Sequence, residues 1–187
     1  VEKYCKEKDI LLILDEIQTG MGRTGKFFCF EHYNIKPDIV TIAKGLAGGL
    51  PIGAMLAAKK EYLEFDVSSH ASTFGGNPFV TAVSIKTIDI ILKDKLIENA
   101  ARIGDYITRK INDMDKTQKI ITQIRQLGLM IGLTVRRDAK EIMVDCLKNG
   151  LIINSIGNNI LRFLPPLNID KKFSNKGLKI YSEVLKK

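Results

Sequence analysis

The sequence predicts an α/β protein with a parallel sheet in its first half and an α+β arrangement in its second half. Two continuous apolar runs, residues 10–14 and 39–43, are typical of strands that a parallel sheet buries on both faces. Each run ends at an ionisable residue, Asp15 or Lys44. From residue 94 onward, helical stripes alternate with strands that glycines interrupt.

The first half is expected to open on the end of a helix, over residues 1–9, so the chain is expected to be a piece of a longer protein. A third strand, over residues 54–58, follows a glycine-rich turn. Asn77 and Pro78 are a good N-cap and first-turn pair, and they predict the start of a helix.

The second half is predicted to alternate helices and strand pairs. A helix over residues 94–111 carries apolar residues on one face, and strand material over residues 120–135 is broken by Gly128 and Gly132. Asp138 is expected to cap a short helix. A hairpin with strands at 151–154 and 160–163 and a closing amphipathic helix complete the prediction.

Composition excludes several classes of protein. Apolar residues make up 45% and charged residues 27% of the 187 residues, which excludes a disordered tail, a collagen repeat and a coiled-coil rod. No stretch approaches about 18 uninterrupted apolar residues, so we expect no membrane span. The net charge of +8 favours anionic partners, including nucleic acid, but the basic residues are scattered and indicate solvated faces.

Cysteine usage indicates a reduced compartment. Cys5, Cys29 and Cys146 are odd in number and far apart in sequence, which fits a cytoplasmic protein without disulfides. Cys29 and His32 have a spacing found in zinc sites, but the chain has only two histidines, so we expect no metal.

Residues 20–25 match the pattern G-x-G-x-x-G, which marks some dinucleotide sites. That pattern binds a dinucleotide when it opens a helix directly after a strand. Here Asp15 to Thr19 separates it from the strand, and Lys26 to Phe28 is a poor helix start. We therefore interpret residues 20–25 as a sharp loop.

Asp15 and Lys44 are the candidate functional residues, because ligands of open α/β sheets bind beyond the carboxyl ends of the strands. Lys44 precedes the glycine-rich residues 45–49, which would let a bulky ligand approach the backbone. An amine in such a pocket loses hydration and can form a Schiff base. Pyridoxal phosphate requires such a pair: a lysine that bonds to its aldehyde, and an aspartate beside its ring nitrogen.

Five motifs follow one another along the chain, at residues 14–20, 22–25, 37–38, 43–54 and 72–78. Together they resemble the class III (ornithine-type) aminotransferases, and within that family the acetylornithine-type enzymes most closely. The resemblance covers essentially the whole chain, and it implies the C-terminal portion of a homodimeric enzyme of the aspartate-aminotransferase type (fold type I). Residues 1–93 would then complete the partial, mostly parallel sheet of the cofactor-binding domain, and residues 94–187 would form the small α+β domain.

The resemblance implies three roles around the cofactor ring. Lys44 would form the Schiff base with pyridoxal 5'-phosphate and then move the proton between substrate and cofactor. Asp15 would pair with the pyridinium nitrogen and keep it protonated. Gln18 would lie near the phenolic oxygen, while the neighbouring Glu16 is interpreted as a member of a structural ion pair.

The resemblance also implies contacts to the phosphate and the substrate. Thr73, with Ser72 beside it, would hydrogen-bond the cofactor phosphate of the partner subunit. Arg162 would bind a substrate carboxylate, for which a planar guanidinium is well suited. The glycine turn that cradles the phosphate and the aromatic residue that stacks on the ring would lie in the N-terminal half of the enzyme.

The implied reaction transfers an amino group from N-acetylornithine to 2-oxoglutarate, in arginine biosynthesis. Ornithine, 4-aminobutyrate and lysine-pathway aminotransferases are the alternatives within the family, and an aminomutase fits the Gln18 region less well. A catalytically incompetent fragment that acts only as a scaffold and a basic nucleic-acid-binding domain are the alternatives from other classes. We expect the 187-residue chain alone to have little or no activity.

Overall fold

The computed structural model describes residues 1–63 and 65–186. The chain forms two compact units. The N-terminal unit contains Val1–Gly22 and Lys26–Leu96, and the C-terminal unit contains Arg23–Gly25 and the chain from Ile97 onward. The assignment of residues 1–93 and 94–187 to two functional domains stays a prediction.

The N-terminal unit contains a three-stranded mixed sheet. Strand β1 (Ile13–Asp15) pairs in parallel with β2 (Ile39–Ile42), and β2 pairs antiparallel with β3 (Ala54–Ala57). Strand β2 is the central strand of the sheet. The predicted α/β fold class is confirmed, although only one of the two strand pairings in this sheet is parallel.

The first strand differs from the prediction. It begins at Ile13 rather than Ile10, and Ile10, Leu11 and Ile13 are exposed. Leu12 alone of this apolar run is buried, and its backbone N–H donates to Asp38 Oδ2 at 2.8 Å. In β1, Ile13 and Asp15 are exposed and Leu14 is half-buried, so the expected burial on both faces is not seen.

Two α-helices belong to the N-terminal unit: α1 (Glu2–Glu7) and α2 (Pro78–Lys93). Asn77 caps α2 as predicted, because its side-chain oxygen accepts from the backbone N–H groups of Phe79 and Val80. Short 3-10 helices lie at Cys29–Tyr33, Lys44–Ala47 and Lys60–Leu63.

The C-terminal unit contains a four-stranded antiparallel sheet of order β4-β5-β7-β6. A hairpin forms around Gly157 as predicted, but its first strand is Asn154–Ile156 rather than residues 151–154. Gly128 separates β4 from β5 as expected. Gly132, however, lies inside β5 and does not interrupt it. The strands are β4 (Ile121–Leu127), β5 (Met130–Val135), β6 (Asn154–Ile156) and β7 (Ile160–Phe163).

Three helices of this unit bury their apolar faces in one core with the sheet: α3 (Leu96–Gln118), α4 (Ala139–Lys148) and α5 (Lys171–Leu185). Asp138 caps α4 as predicted. Tyr181 of α5 is fully buried and meets the ring of Phe163 edge-on at 5.2 Å. Across residues 1–63 and 65–186, no helix is both long and apolar enough to cross a membrane.

Candidate functional site

Asp15 and Lys44 lie at the same edge of the N-terminal sheet. In the parallel pairing of β1 with β2, Asp15 is opposite Thr41, and Lys44 follows the end of β2 after a single residue. Since the carboxyl ends of parallel strands meet at one edge, the chain places both residues at the same edge of this sheet. This is the position at which the sequence predicts a ligand.

The carboxylate of Asp15 is held through one of its two oxygens. Its Oδ1 accepts a hydrogen bond from the backbone N–H of Ile17 at 2.9 Å and a longer one from the Thr41 hydroxyl at 3.4 Å. No group in the described chain donates to Oδ2. That oxygen is available as the acceptor for a cationic N–H of a ligand.

Lys44 has an unusual backbone conformation. Its φ of 44° lies in the left-handed region, which costs a residue with a side chain roughly 1–2 kcal/mol. Lys44 is the first residue of the 3-10 helix Lys44–Ala47, which packs against α2. The side chain is exposed, so the expected desolvated pocket around the amine is not formed by the described residues.

The turn that contains Gln18 packs beside the lysine turn. A Cβ atom added at Gly45 would lie 3.3 Å from Cβ of Met21, which is itself buried. The glycine at position 45 therefore allows close approach of Met21, in addition to any role toward a ligand. Gln18 is half-buried in this turn and lies between Asp15 and Met21 in sequence.

The role of Glu16 differs from the one predicted from the sequence. Its buried carboxylate accepts from the backbone N–H of Cys29 at 3.0 Å and of Phe30 at 2.9 Å, and from the Thr19 hydroxyl. No cation contacts it among the ion pairs of the described chain. Glu16 is therefore an acceptor for backbone donors that fixes the loop after Asp15, and the predicted ion pair is wrong.

Ser72 and Thr73 lie in an exposed loop before α2. The Ser72 Oγ accepts from the backbone N–H of Gly75 at 2.8 Å, which closes a tight turn. The Thr73 side chain is exposed. Within the described residues, no hydrogen bond connects this loop to Asp15 or Lys44.

Arg162 belongs to the C-terminal unit and lies on β7, a central strand of its sheet. Its neighbours Leu161 and Phe163 point into the core, so Arg162 lies on the opposite face, level with Gly132 and Arg125 on the next two strands. The Nε atom of Arg162 is buried and has no hydrogen-bond partner in the part of the chain that the structure describes. An unsatisfied guanidinium of this kind is suited to a carboxylate.

The donors and acceptors of the N-terminal unit fit pyridoxal phosphate. An unpaired carboxylate oxygen suits a protonated ring nitrogen, and an exposed amine at the neighbouring strand end suits an aldehyde. In contrast, the His, Cys, Asp and Glu side chains of the described chain form no group of three that could bind a metal ion.

Residues 1–185 match the family model for class-III aminotransferases. The acetylornithine aminotransferase of Caldanaerobacter subterraneus subsp. tengcongensis is 46% identical over 186 residues, which are 99% of this chain and 47% of that protein. The acetylornithine aminotransferase of Aquifex aeolicus is 40% identical over 185 residues, again 99% of this chain and 47% of that protein. The chain thus spans about half the length of the curated relatives it matches, and it matches their C-terminal portion.

Solved structures of aminotransferases also superpose on this chain over nearly its whole length. The ornithine delta-aminotransferase of Plasmodium falciparum superposes with a TM-score of 0.92 at 32% identity, over 99% of this chain and 48% of that one. The acetylornithine aminotransferase of Elizabethkingia anophelis superposes with a TM-score of 0.90 at 30% identity, over 98% of this chain and 50% of that one.

Proposed function

Because this chain belongs to the class III aminotransferase family, we propose that it is the C-terminal portion of a pyridoxal-phosphate enzyme that transfers an amino group from N-acetylornithine to 2-oxoglutarate. The observation that carries the proposal is the placement of Asp15 and Lys44 at the ends of adjacent parallel strands. The names of the similar curated proteins support N-acetylornithine as the donor and arginine biosynthesis as the pathway.

Asp15 and Lys44 have complementary tasks in this proposal. Bound pyridoxal phosphate supplies an electron sink that stabilises negative charge on the substrate carbon. Asp15 would accept the ring N–H and keep the ring cationic, and Gln18 would lie toward the phenolic oxygen. The Lys44 amine would hold the cofactor and move a proton at Nζ as acid and base.

The remaining predicted residues bind the anionic ends of the ligands. Arg162 binds a substrate carboxylate with its planar guanidinium, which forms two parallel hydrogen bonds to such a group. Ser72 and Thr73 would hydrogen-bond the cofactor phosphate of the partner subunit in a homodimer. We place the enzyme in the cytoplasm, because three scattered cysteines fit a reduced compartment.

Ornithine is the second candidate donor. Solved ornithine aminotransferases superpose on this chain over nearly its whole length, so the fold does not separate the two substrates. The two amines differ in charge, since ornithine carries a free ammonium at the position that acetylation neutralises in N-acetylornithine.

A donor assay on the full-length protein tests the proposal. With 2-oxoglutarate as acceptor, we expect the highest kcat/KM for N-acetylornithine, and lower values for ornithine and 4-aminobutyrate. A preference for either of the other donors would assign the enzyme to that branch of the family. Glutamate production from none of the three, by a protein that binds the cofactor, would favour the scaffold.

The Arg162 variant tests the substrate site separately. We expect Arg162→Lys to raise KM for 2-oxoglutarate about tenfold or more, because a lysine cannot form the bidentate contact. Arg109→Lys is the matched control, since Arg109 is exposed on α3. An unchanged KM in Arg162→Lys would remove Arg162 from the substrate site.

A further inference from the structure

Thr41 is joined to Asp15 from the neighbouring strand. The two residues are directly opposite in the parallel pairing of β1 with β2, and the Thr41 hydroxyl lies 3.4 Å from Asp15 Oδ1. An ionised carboxylate only accepts hydrogen bonds, so the hydroxyl is the donor. The backbone carbonyl of Thr41 also accepts the N–H of Glu16 at 2.9 Å, which fixes the two strand ends side by side.

The second donor has a geometric consequence for the carboxylate. The torsion that rotates an aspartate carboxyl group is broad and soft. The Ile17 N–H belongs to the loop that begins directly after Asp15, whereas Thr41 belongs to the strand that leads into Lys44. Of the hydrogen bonds that the described residues make to this carboxylate, the one from Thr41 ties its orientation to the strand that leads into the lysine.

Both donors are directed at the same oxygen. With Oδ1 occupied by the Ile17 N–H and the Thr41 hydroxyl, Oδ2 is the oxygen left for a ligand. The two oxygens of the carboxylate are equivalent, so a half-turn restores this arrangement, whereas any smaller rotation breaks both hydrogen bonds and turns the free oxygen away from its position.

We propose that Thr41 is a positioning residue that orients Asp15, so that Oδ2 faces the ring nitrogen of the cofactor. The proposal rests on the proposed function, since it requires pyridoxal phosphate above Asp15. Thr41 itself contacts neither cofactor nor substrate and acts through the carboxylate.

The test compares two cofactors in the full-length protein. One is pyridoxal phosphate, and the other is its 1-deaza analogue, in which a carbon replaces the ring nitrogen and no N–H faces Asp15. The variants are Thr41→Val, which keeps the shape and removes the hydroxyl, and Thr41→Ser, which keeps the hydroxyl. Thr122→Val is the matched control, because Thr122 is an exposed strand residue whose hydroxyl donates to the Thr134 carbonyl.

We expect Thr41→Val to raise the dissociation constant for pyridoxal phosphate about threefold to tenfold and to leave that for the deaza analogue unchanged. Thr41→Ser and Thr122→Val are expected to bind both cofactors like the unmodified protein. Equal weakening of both cofactors by Thr41→Val would indicate a merely structural effect and would overturn the proposal.

Two further outcomes separate this proposal from the proposed function. If the unmodified protein binds pyridoxal phosphate and Thr41→Val binds it equally well, the role of Thr41 alone is wrong. If the unmodified protein binds no pyridoxal phosphate, the proposed function fails and the role of Thr41 fails with it.

Discussion

Arg23 donates a hydrogen bond from Nη1 to the backbone carbonyl of Pro165 at 2.5 Å, although the two residues are 142 positions apart in sequence. The same nitrogen lies 3.4 Å from the carbonyl of Leu129, whose N–H donates to the Arg23 carbonyl at 3.0 Å. Burial lowers the pKa of Arg23 below its ordinary value, but a guanidinium remains charged at neutral pH. Arg23 therefore fixes the segment that follows β7, the strand of Arg162.

We expect Arg23→Lys to lower the free energy of unfolding of the chain by about 1–3 kcal/mol, because the lysine side chain is one bond shorter than the path to Nη1 and leaves the partly buried carbonyls of Pro165 and Leu129 unpaired. Urea unfolding followed by circular dichroism measures this change. Arg109→Lys, at an exposed position on α3, is the control and is expected to have little effect. Equal stabilities of the two variants would contradict this role of Arg23.

Gly104 allows α3 to approach the β4–β5 hairpin. A Cβ atom added at Gly104 would lie only 1.9 Å from the carbonyl oxygen of Gly128, so Gly104→Ala must displace backbone. We expect a destabilisation of about 1–3 kcal/mol. In Gly132→Ala the added Cβ meets nothing closer than 4.0 Å, so this substitution is the control and is expected to be nearly neutral. Thermal unfolding of both variants checks the difference, and a Gly104→Ala chain as stable as the control would be evidence against the close approach.

The chain is expected to lose stability at alkaline pH. Burial raises the pKa of Cys146 to about 11 and raises the pKa of Tyr181 still further above its ordinary value. Both groups ionise more easily in the unfolded chain, so the stability they contribute is complete below their ordinary pKa values and falls as the pH rises above them. Each group lowers the free energy of unfolding by about 1.4 kcal/mol per pH unit in the range between its unfolded and folded pKa.

Tyr181→Phe isolates one of these two contributions. The Tyr181 hydroxyl is buried without a partner in the described residues, and phenylalanine keeps the ring contact with Phe163. We expect the variant to change stability at pH 7 by less than about 1 kcal/mol and to lose less stability above pH 10. Urea unfolding from pH 7 to 11 measures both effects. Tyr33→Phe at an exposed position is the control, and identical alkaline losses in all three proteins would refute the assignment.

Glu16→Gln is expected to destabilise the loop between β1 and β2. The amide has one acceptor oxygen where the carboxylate has two, so one of the backbone N–H groups of Cys29 and Phe30 would face an NH₂ group. We expect a cost of about 1–3 kcal/mol in the free energy of unfolding. Glu31→Gln provides a control, because Glu31 accepts a single, exposed N–H bond from Phe28. Amide hydrogen exchange at Cys29 and Phe30 that stays as slow as in the unmodified chain would contradict this expectation.

Strand β2 and the start of α2 could be predicted because their signals are local: a continuous apolar run, and an asparagine before a proline. Helix α3 was predicted to end at Ile111 but continues to Gln118. Its last turns are mostly polar and carry the Asp113–Lys116 ion pair, so a search for apolar periodicity does not detect them. Gly132 stays in β5 because strands pair with it on both sides.

The positions of Asp15 and Lys44 could also be predicted, since each residue follows an apolar strand and parallel strands end at one edge. The role of Glu16 could not be predicted, because two of its three partners are backbone N–H groups of Cys29 and Phe30, which leave no pattern in the side chains. The exposure of the Lys44 side chain could not be predicted. It depends on which other segments of the protein pack over the lysine, and the sequence around the lysine does not indicate those segments.

The most direct test of this account locates the cofactor on the chain. The full-length protein, loaded with pyridoxal phosphate, is treated with borohydride, digested and mapped by mass spectrometry. We predict a pyridoxyl group on Nζ of Lys44, and its loss in Lys44→Ala. A pyridoxyl group on a different lysine of the active enzyme would contradict the assignment.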